Sequence, residues 1–597
     1  MSSLLQSFRA LFAEAGIVGQ RNLDFYVLPR TDYHNSEYIA AQDERVKFLS
    51  GFSGSNAYTI IGKDDAFLWT DGRYFDQAAK ELTSGWTLMK DGTPGVLSPG
   101  DWLIQKISPN SVVGFDPHLF GYDTAVDLLQ KLKKSKAIAV PITRNLVDVL
   151  WDARPKPTIK NLMTLTKEDA GEDIPTKLKR VREEYAKKKC ESIIIGDLAE
   201  IAWLFNLRGS DIPFNPVFFS IAVVDNNSAH LFIDEHKIDS NILDHLGDVK
   251  IHAYESILTW LEIYHANAKK SNPEHKVWIT SSTNYAWGSL IGDEYAYVDF
   301  SPIQFMKAIR DAGALVQFFN WLETEIKNGS KISEKQASDK SFEFRTKVSK
   351  FVSLSFDTIS AVGGHASFPH YHMTEESGKV LIDPDNVYLL DSGGQYRDGT
   401  TDVTRTVVLG TPSKHVKRMF TLVLKGHINN ARLIVPDRIN AMRLDSSARQ
   451  FLWQYGYDFG HGVGHGVGHF LNVHEFPPSI GYRQVNQQNV LKRGTIVTIE
   501  PGYYDTNNFG IRIENGYEMV EATGLESKAG NYLAFRSLTW VPIQASLIDK
   551  DLLTKEEVIT DWLNDYHKTC LEKTGAYLKE QGLNNDYAYL EQACKPL

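Results

Sequence analysis

The chain has 597 residues, of which 42% are hydrophobic and 23% charged, and a formal net charge of −10. That length exceeds one core and predicts about three or four domains of ordinary globular composition. The acidic balance excludes nucleic acid as a bulk partner, because neutralising phosphates needs an excess of Lys and Arg.

From the N-terminus, MSSLLQSFRALFAEAG carries Arg9 inside its apolar stretch and reads as an amphipathic helix, not a secretory leader. No apolar run reaches the length of a membrane span. The final LNNDYAYLEQACKPL has no hydrophobic tail for a lipid anchor. The short basic runs KLKKSK (131–136) and KKK (187–189) read as solvated helix faces. The three cysteines, Cys190, Cys570 and Cys594, are odd in number and none is paired closely in sequence with another. They point to a reducing compartment. The expected location is the cytoplasm, with no membrane partner.

Two distant segments echo each other. FLSGFSGSNAYTIIGKDDAFLWTDGRYF (48–75) and WLFNLRGSDIPFNPVFFSIAVVDNNSAHLFID (203–234) each run from a helix end through a Gly-Ser turn to a strand, an acidic turn and a second strand. AYTII and FFSIAVV are β-rich runs bounded by turn residues, as strands should be. The pattern predicts two related α/β domains in tandem, 1–150 and 151–302, separated at the polar, proline-bearing DARPKPTIK (152–160). A third domain is expected over 303–597. It has helical periodicity in 314–326, 415–435 and 445–456, the last opening on an Asp/Ser cap, and a charged helical extension after 545.

The chemistry concentrates in this third region. In NVYLLDSGGQYRDGTTDVTRTVVL (386–409), Asp391 ends an apolar run, a Gly-Gly turn follows, and Asp402 starts the next strand. In GTIVTIEPGYYDTNNFGIRIENGYEMV (494–520), Glu500 ends an apolar run, a Pro-Gly turn follows, and Glu514 sits in the next strand. Carboxylates flanked by such apolar runs are costly to bury without compensation. Four of them in two matching hairpins need positive charge between them, and metal is the economical solution. Two divalent cations bridged by carboxylates suit the clamping of a hydroxide and a carbonyl or phosphoryl oxygen. Oxygen-rich ligation without thiolate puts manganese first, with cobalt or zinc possible.

The nitrogen ligand is sought in DFGHGVGHGVGHFLNVHE (458–475), where His461, His465, His469 and His474 alternate with glycines. Five glycines in nine residues argue against a zinc-binding helix, each costing about 0.8–1 kcal/mol there. A loop or broken strand packed closely against something is expected instead. The residues alone leave open which of the four histidines faces the metal.

At this point the sequence resembles a known family. DSGGQYRDGTTDVTRT, GHGVGHGVGHFLNVHE and EPGYYDTNNFGIRIEN are similar to the three metal-site motifs of the pita-bread metallopeptidases. FLSGFSGSNAY, LWTDGRYF and WLFNLRGSD resemble the cytosolic, three-domain aminopeptidases P. The resemblance spans nearly the whole chain. It implies two creatinase-like α/β domains before a pita-bread α+β catalytic domain, two manganese ions per subunit, a homodimer, and removal of the residue preceding a proline. By the same resemblance Asp391 is a ligand of the first metal, Asp402 and Glu514 bridge, and His465 and Glu500 serve the second. His461 lies near the substrate, and His474 contacts the carbonyl region. His370 of FPHYH touches substrate, as do Arg73 of TDGRY and His465. Read alone, His370 is a packed core histidine and Arg73 an ion-pair partner of Asp71. The implied catalytic set is His370, His461, His474 and Glu500; His469 has no implied role. Arg512, two residues before Glu514, is expected to hold that carboxylate. The free α-amine of the substrate is expected near Asp391.

Two departures stand out. The stretch MKAIRDAG (306–313) stands in the place of a longer linker helix, and HEFPP (474–478) differs from the family's His-Glu-Gly-Pro at the rim beside His474. Two other functions compete: an X-Pro dipeptidase of the same fold, and a catalytically dead module that binds peptides. Five filled ligand positions argue against the second.

Overall fold

A computed structural model describes residues 3–19, 21–157, 159–280, 283–292, 295–299, 311–482, 489–524, 530–553 and 557–597. The linker departure at 306–313 falls largely outside the described residues. The chain forms two compact units, Met1–Gln304 and Phe305–Leu597.

The first unit contains the echo predicted from the sequence. Its first sheet runs in the order Trp86–Lys90, Ala66–Thr70, Tyr58–Gly62, Phe25–Pro29, Val112–Phe115, Ile138–Pro141. Its second runs Lys250–Ala253, Ala229–Ile233, Ser220–Asp225, Ser192–Ile195, Val277–Thr280, Ala296–Asp299. In both sheets the three central strands pair antiparallel and the flanking pairs are parallel. The two Gly-Ser segments are thus equivalent hairpins, Tyr58–Gly62 with Ala66–Thr70 and Ser220–Asp225 with Ala229–Ile233. The N-terminal stretch is helical over Ser3–Ala10 and buries Leu5 and Phe8, while Phe12 follows them into the core from the next turn.

The second unit packs helices against its sheets around one large core. Phe318 and Leu322 of helix Asp311–Lys327 meet Phe420, Leu424 and Ile428 of helix Lys414–Ala431 there, with Val497, Ile499 and Ile511 from the strands. One sheet is Ile359–Val362, Tyr388–Ser392, Val403–Val407. The larger is Ile434–Pro436, Tyr532–Ser537, Asn515–Glu521, Ile496–Ile499, Gly464–Gly466, Glu475–Ile480. The C-terminal extension forms helices Glu557–Glu580 and Asn584–Ala593, and Leu563 and Leu578 of the longer one close over this core.

Two expectations change in detail. Helix Asp445–Trp453 has no side-chain cap; Leu444 stands at the cap position. Asp445 instead lies one turn from Arg449 and grips its guanidinium at 2.7 and 3.0 Å. The second hairpin is not a simple one. A small ribbon, Gly502–Asp505 with Phe509–Arg512, is inserted between its arms. Glu514 therefore sits at the step between that ribbon and strand Asn515–Glu521, and not inside a strand.

Candidate metal centre

The two carboxylate pairs meet because their strands are neighbours. Tyr388–Ser392 pairs antiparallel with Val403–Val407, so Asp391 lies opposite Thr404 and Asp402 stands just before the partner strand. Ile496–Ile499 pairs with Asn515–Glu521, with Ile499 opposite Asn515, so Glu500 and Glu514 emerge side by side. The Glu514 amide donates to the Thr404 carbonyl at 3.2 Å and joins the two pairs.

The glycines bring in the histidine. Residues 464–466 form a three-residue strand pressed between Ile496–Ile499 and Glu475–Ile480. A Cβ on Gly464 would lie 2.0 Å from the Thr498 carbonyl oxygen, and one on Gly466 would lie 2.3 Å from that of Glu475. The glycines are there because the backbones touch, and that contact drives His465 into the carboxylates. Its Nδ1–H donates to the Gly466 carbonyl at 2.8 Å, which turns Nε2 toward Asp402 and Glu500, each 3.4 Å away.

Ligand atoms converge in three overlapping groups, each within 4.8 Å: Asp391, Asp402 and Glu514; His465, Glu500 and Glu514; Asp402, His465 and His474. The five residues expected to hold metal lie together, with His474 as a sixth, and His469 is in none of these groups. Burial is deep, with Asp402 7% exposed and Glu514 1%.

The electrostatics show what the cluster lacks. Burial raises the Glu514 carboxyl well above its usual range, and the charges of Asp402, Glu500 and Asp391 raise it further. Burial also raises Asp391 and Glu500, partly offset by Arg512 for the first and by His465 and Arg512 for the second. Burial by itself would lower His465, but its contacts with Asp402 and Glu500 prevail and lift it to about 9. A proton on this imidazole is a makeshift for positive charge the site needs. Asp391 Oδ1 is buried with no hydrogen-bond partner among the described residues. A buried acceptor without a donor costs about 1–3 kcal/mol, more when charged. Carboxylates in excess, one neutral-capable imidazole nitrogen aimed at them and an orphaned carboxylate oxygen fit divalent cations.

The surrounding residues fix the ligands. Arg512 donates to Asp391 Oδ2 at 2.6 Å through Nη2, to Thr404 at 3.1 Å through Nε, and to both Tyr504 (2.7 Å) and the Pro369 carbonyl (3.2 Å) through Nη1. It holds Asp391, not the Glu514 expected from spacing. Thr404 takes Glu514, donating at 2.8 Å. His461 donates from Nδ1 to the Gly462 carbonyl at 2.7 Å, and its Nε2 accepts from Tyr504 at 2.8 Å. Arg449 ties down the start of this segment through the carbonyls of Phe459 and His461, both at 2.6 Å.

His370 lies with its ring 6.5 Å from that of His474, roughly parallel to it. Its loop is pinned on both sides. Arg512 holds Pro369, and the fully buried Glu334 accepts from Tyr371 at 2.9 Å and pairs with His365 at 3.0 Å. His370 itself is half-buried. Arg73, in the first unit, makes two 2.8 Å bonds to Asp71 and a looser 3.7 Å pair with Glu37. Tyr504 and Thr404 are the supporting residues that sequence reading missed. Thr404 follows Asp402 by two, so strand alternation puts both on one face, whereas nothing local singles out Tyr504.

Family models match along the chain: the Creatinase/Prolidase N-terminal domain over 5–148 and, in a second form, 153–313; metallopeptidase family M24 over 307–521; and the C-terminal region of peptidase M24 over 531–597. An Xaa-Pro aminopeptidase of Caenorhabditis elegans is 45% identical over all of this chain and 98% of its own length. The chain belongs to metallopeptidase family M24. A probable Xaa-Pro aminopeptidase P of Tuber melanosporum is 41% identical, with 95% of this chain and 96% of that relative covered. The crystal structure of an X-prolyl aminopeptidase from C. elegans, described as a cytosolic enzyme with a di-nuclear active site, superposes with a TM-score of 0.95 at 44% identity, covering 100% of this chain and 99% of that one. In M24 terms the fold is two creatinase-type α/β domains followed by the pita-bread domain.

Proposed function

We propose that this protein is a manganese-dependent aminopeptidase that removes the first residue of peptides with proline in second position. The observation that carries the reading is the buried convergence of Asp391, Asp402, His465, Glu500 and Glu514 around excess negative charge. It occurs in a chain that aligns end to end with Xaa-Pro aminopeptidases. Asp391 is assigned to the first metal, His465 and Glu500 to the second, and Asp402 and Glu514 to both. When bound, such a pair lowers the pKa of water and polarises a carbonyl.

The chain's own groups do the rest. Glu500, beside His461 and His465, is assigned to accept the proton of the attacking water and to return it to the proline nitrogen as the C–N bond breaks. His370 and His474 flank the carbonyl and stabilise its oxygen as it becomes tetrahedral. His461 stands beside Glu500, with its Nδ1 4.0 Å from Oε2, and faces the substrate. The α-amine of the first residue is assigned to the Asp391 end. A bond to proline is a tertiary amide with no N–H and a fixed φ, so a site shaped for that ring gains its specificity there. Arg73 is assigned a substrate contact, with Asp71 and Glu37 holding its guanidinium.

Manganese is preferred to zinc or cobalt because four of the five ligand residues are carboxylates. The domain division at 150 and 302, a homodimer and a cytoplasmic location complete the reading. The three cysteines are free, which suits a reducing compartment. No helix among the described residues is long and apolar enough to cross a membrane. The dipeptidase reading is disfavoured, because the full-length relatives are aminopeptidases. Purified protein with added manganese should release the first residue of X-Pro tripeptides and longer peptides. Cleavage of X-Pro dipeptides alone, or equal rates on X-Pro and X-Ala peptides, would contradict the assignment.

A further inference from the structure

Phe476 stands in strand Glu475–Ile480 with 52% of its surface exposed. It is nevertheless close to the metal centre. Its ring centroid lies 6.3 Å from that of His465 and 6.4 Å from that of His474. Pro477 and Pro478 follow it, and proline fixes φ, so the ring is carried on a stiff backbone. A large apolar side chain held beside two site histidines, and left open to solvent, is surface for a ligand to cover.

The site has a direction that says which part of a peptide would cover it. Asp391 groups with Asp402 and Glu514, whereas Phe476 lies 6.3 and 6.4 Å from the rings of His465 and His474, neither of which shares a ligand group with Asp391. Phe476 thus stands at the histidine side of the cluster and Asp391 at the other. On the reading given above, on which this inference rests, the α-amine lies at the Asp391 end and the scissile carbonyl at His474. An extended peptide advances about 3.3 Å per residue. The 6.4 Å from the His474 ring to that of Phe476 is therefore about two residues onward from the first carbonyl.

We propose that Phe476 is a specificity-determining residue that contacts the side chain of the third residue of the substrate, favouring X-Pro peptides with an apolar or aromatic residue after the proline. Covering exposed ring surface with an apolar side chain removes both from water, and aromatic pairs add a geometric preference. A glycine or serine at the third position offers neither.

The test compares kcat/KM on matched X-Pro-Phe and X-Pro-Gly peptides of equal length and fixed first residue, with wild type, Phe476→Ala and Phe476→Leu. The wild type should favour the phenylalanine peptide by about three- to tenfold. Phe476→Ala should bring the ratio close to one, and Phe476→Leu should lie between. An unchanged ratio in Phe476→Ala, equal losses on both peptides, or no wild-type preference would overturn the proposal. So would a variant that alters selectivity at the first residue instead, measured on Ala-Pro-Gly against Phe-Pro-Gly. Failure of the underlying reading has a separate signature: the wild type with manganese would release no first residue from any of these peptides.

Discussion

Asp402, Glu514 and His465 each belong to two of the three ligand groups, and of these only the carboxylates have two oxygens with which to bridge. Asp402→Ala should therefore lose metal and hydrolysis together, as read by metal analysis and peptide cleavage on the same preparation. His469→Ala should keep both ions; loss of metal there would mean that the nitrogen ligand is misassigned. His370 and His474 act on the substrate, not as primary ligands, in this account. Removing an oxyanion donor costs about 10²–10³ in kcat, and removing a positioned acid or base about 10²–10⁴. His370→Ala should fold, hold two ions and lose at least roughly a hundredfold in kcat. His474→Ala should lose as much, and because its ring is within reach of Asp402 and His465 its metal content must be measured alongside. A destabilised but fully active His370→Ala would return that residue to a packing role.

Among the elements, the short strand Gly464–Gly466 positions the nitrogen ligand through backbone contact. Gly464→Ala forces a methyl to within 2.0 Å of the Thr498 carbonyl oxygen. Overpacking of this kind costs about 1–3 kcal/mol, so Tm should fall by several degrees, with weakened metal retention. Gly516→Ala, where the new methyl would meet nothing closer than Thr539 Oγ1 at 3.7 Å, should leave Tm nearly unchanged. Scanning calorimetry on the two variants separates close approach from a general intolerance of alanine. The sequence disclosed this element's character, because five glycines among four histidines cannot be a stable helix. It also disclosed both carboxylate pairs, since in each hairpin one acid ends an apolar run (Asp391, Glu500) and the other follows the turn (Asp402, Glu514). What it concealed came from insertion and from distance. The ribbon Gly502–Asp505/Phe509–Arg512 takes Arg512 away from Glu514 and points it at Asp391, 121 positions earlier. Glu334, at the start of helix Glu334–Thr346, and His365 lie outside every motif and meet Tyr371 of FPHYH only in the folded chain.

Over the whole molecule, the repeated α/β topology was legible because turn and strand punctuation recurs in the two Gly-Ser segments. The buried histidines that respond to acid were not, because nothing in their neighbours' identity marks them as enclosed. Burial lowers His34 to about 4, despite its bond to the Gly196 carbonyl, and lowers His567 to about 4 and His427 to about 3. A folded pKa below the unfolded value near 6.5 means that the unfolded chain binds the extra proton as pH falls. Stability is then full above about 6.5 and declines towards 4. For His34 the loss between pH 7 and 5 is about 2 kcal/mol. Denaturant unfolding should accordingly show a smaller pH 7-to-5 difference in His34→Asn than in the wild type; equal differences would remove His34 from the acid response.

A pair of metal ions held by two aspartates, two glutamates and His465, serving cleavage before proline, can be read out by stripping the protein with a chelator and titrating manganese back while following release of the first residue from a peptide beginning X-Pro-Pro. Activity should return and saturate at two equivalents per chain, with the free first residue as the initial product and no recovery in Asp402→Ala. Full activity in the stripped protein, saturation at one equivalent, or release of an X-Pro dipeptide would contradict the two-metal reading.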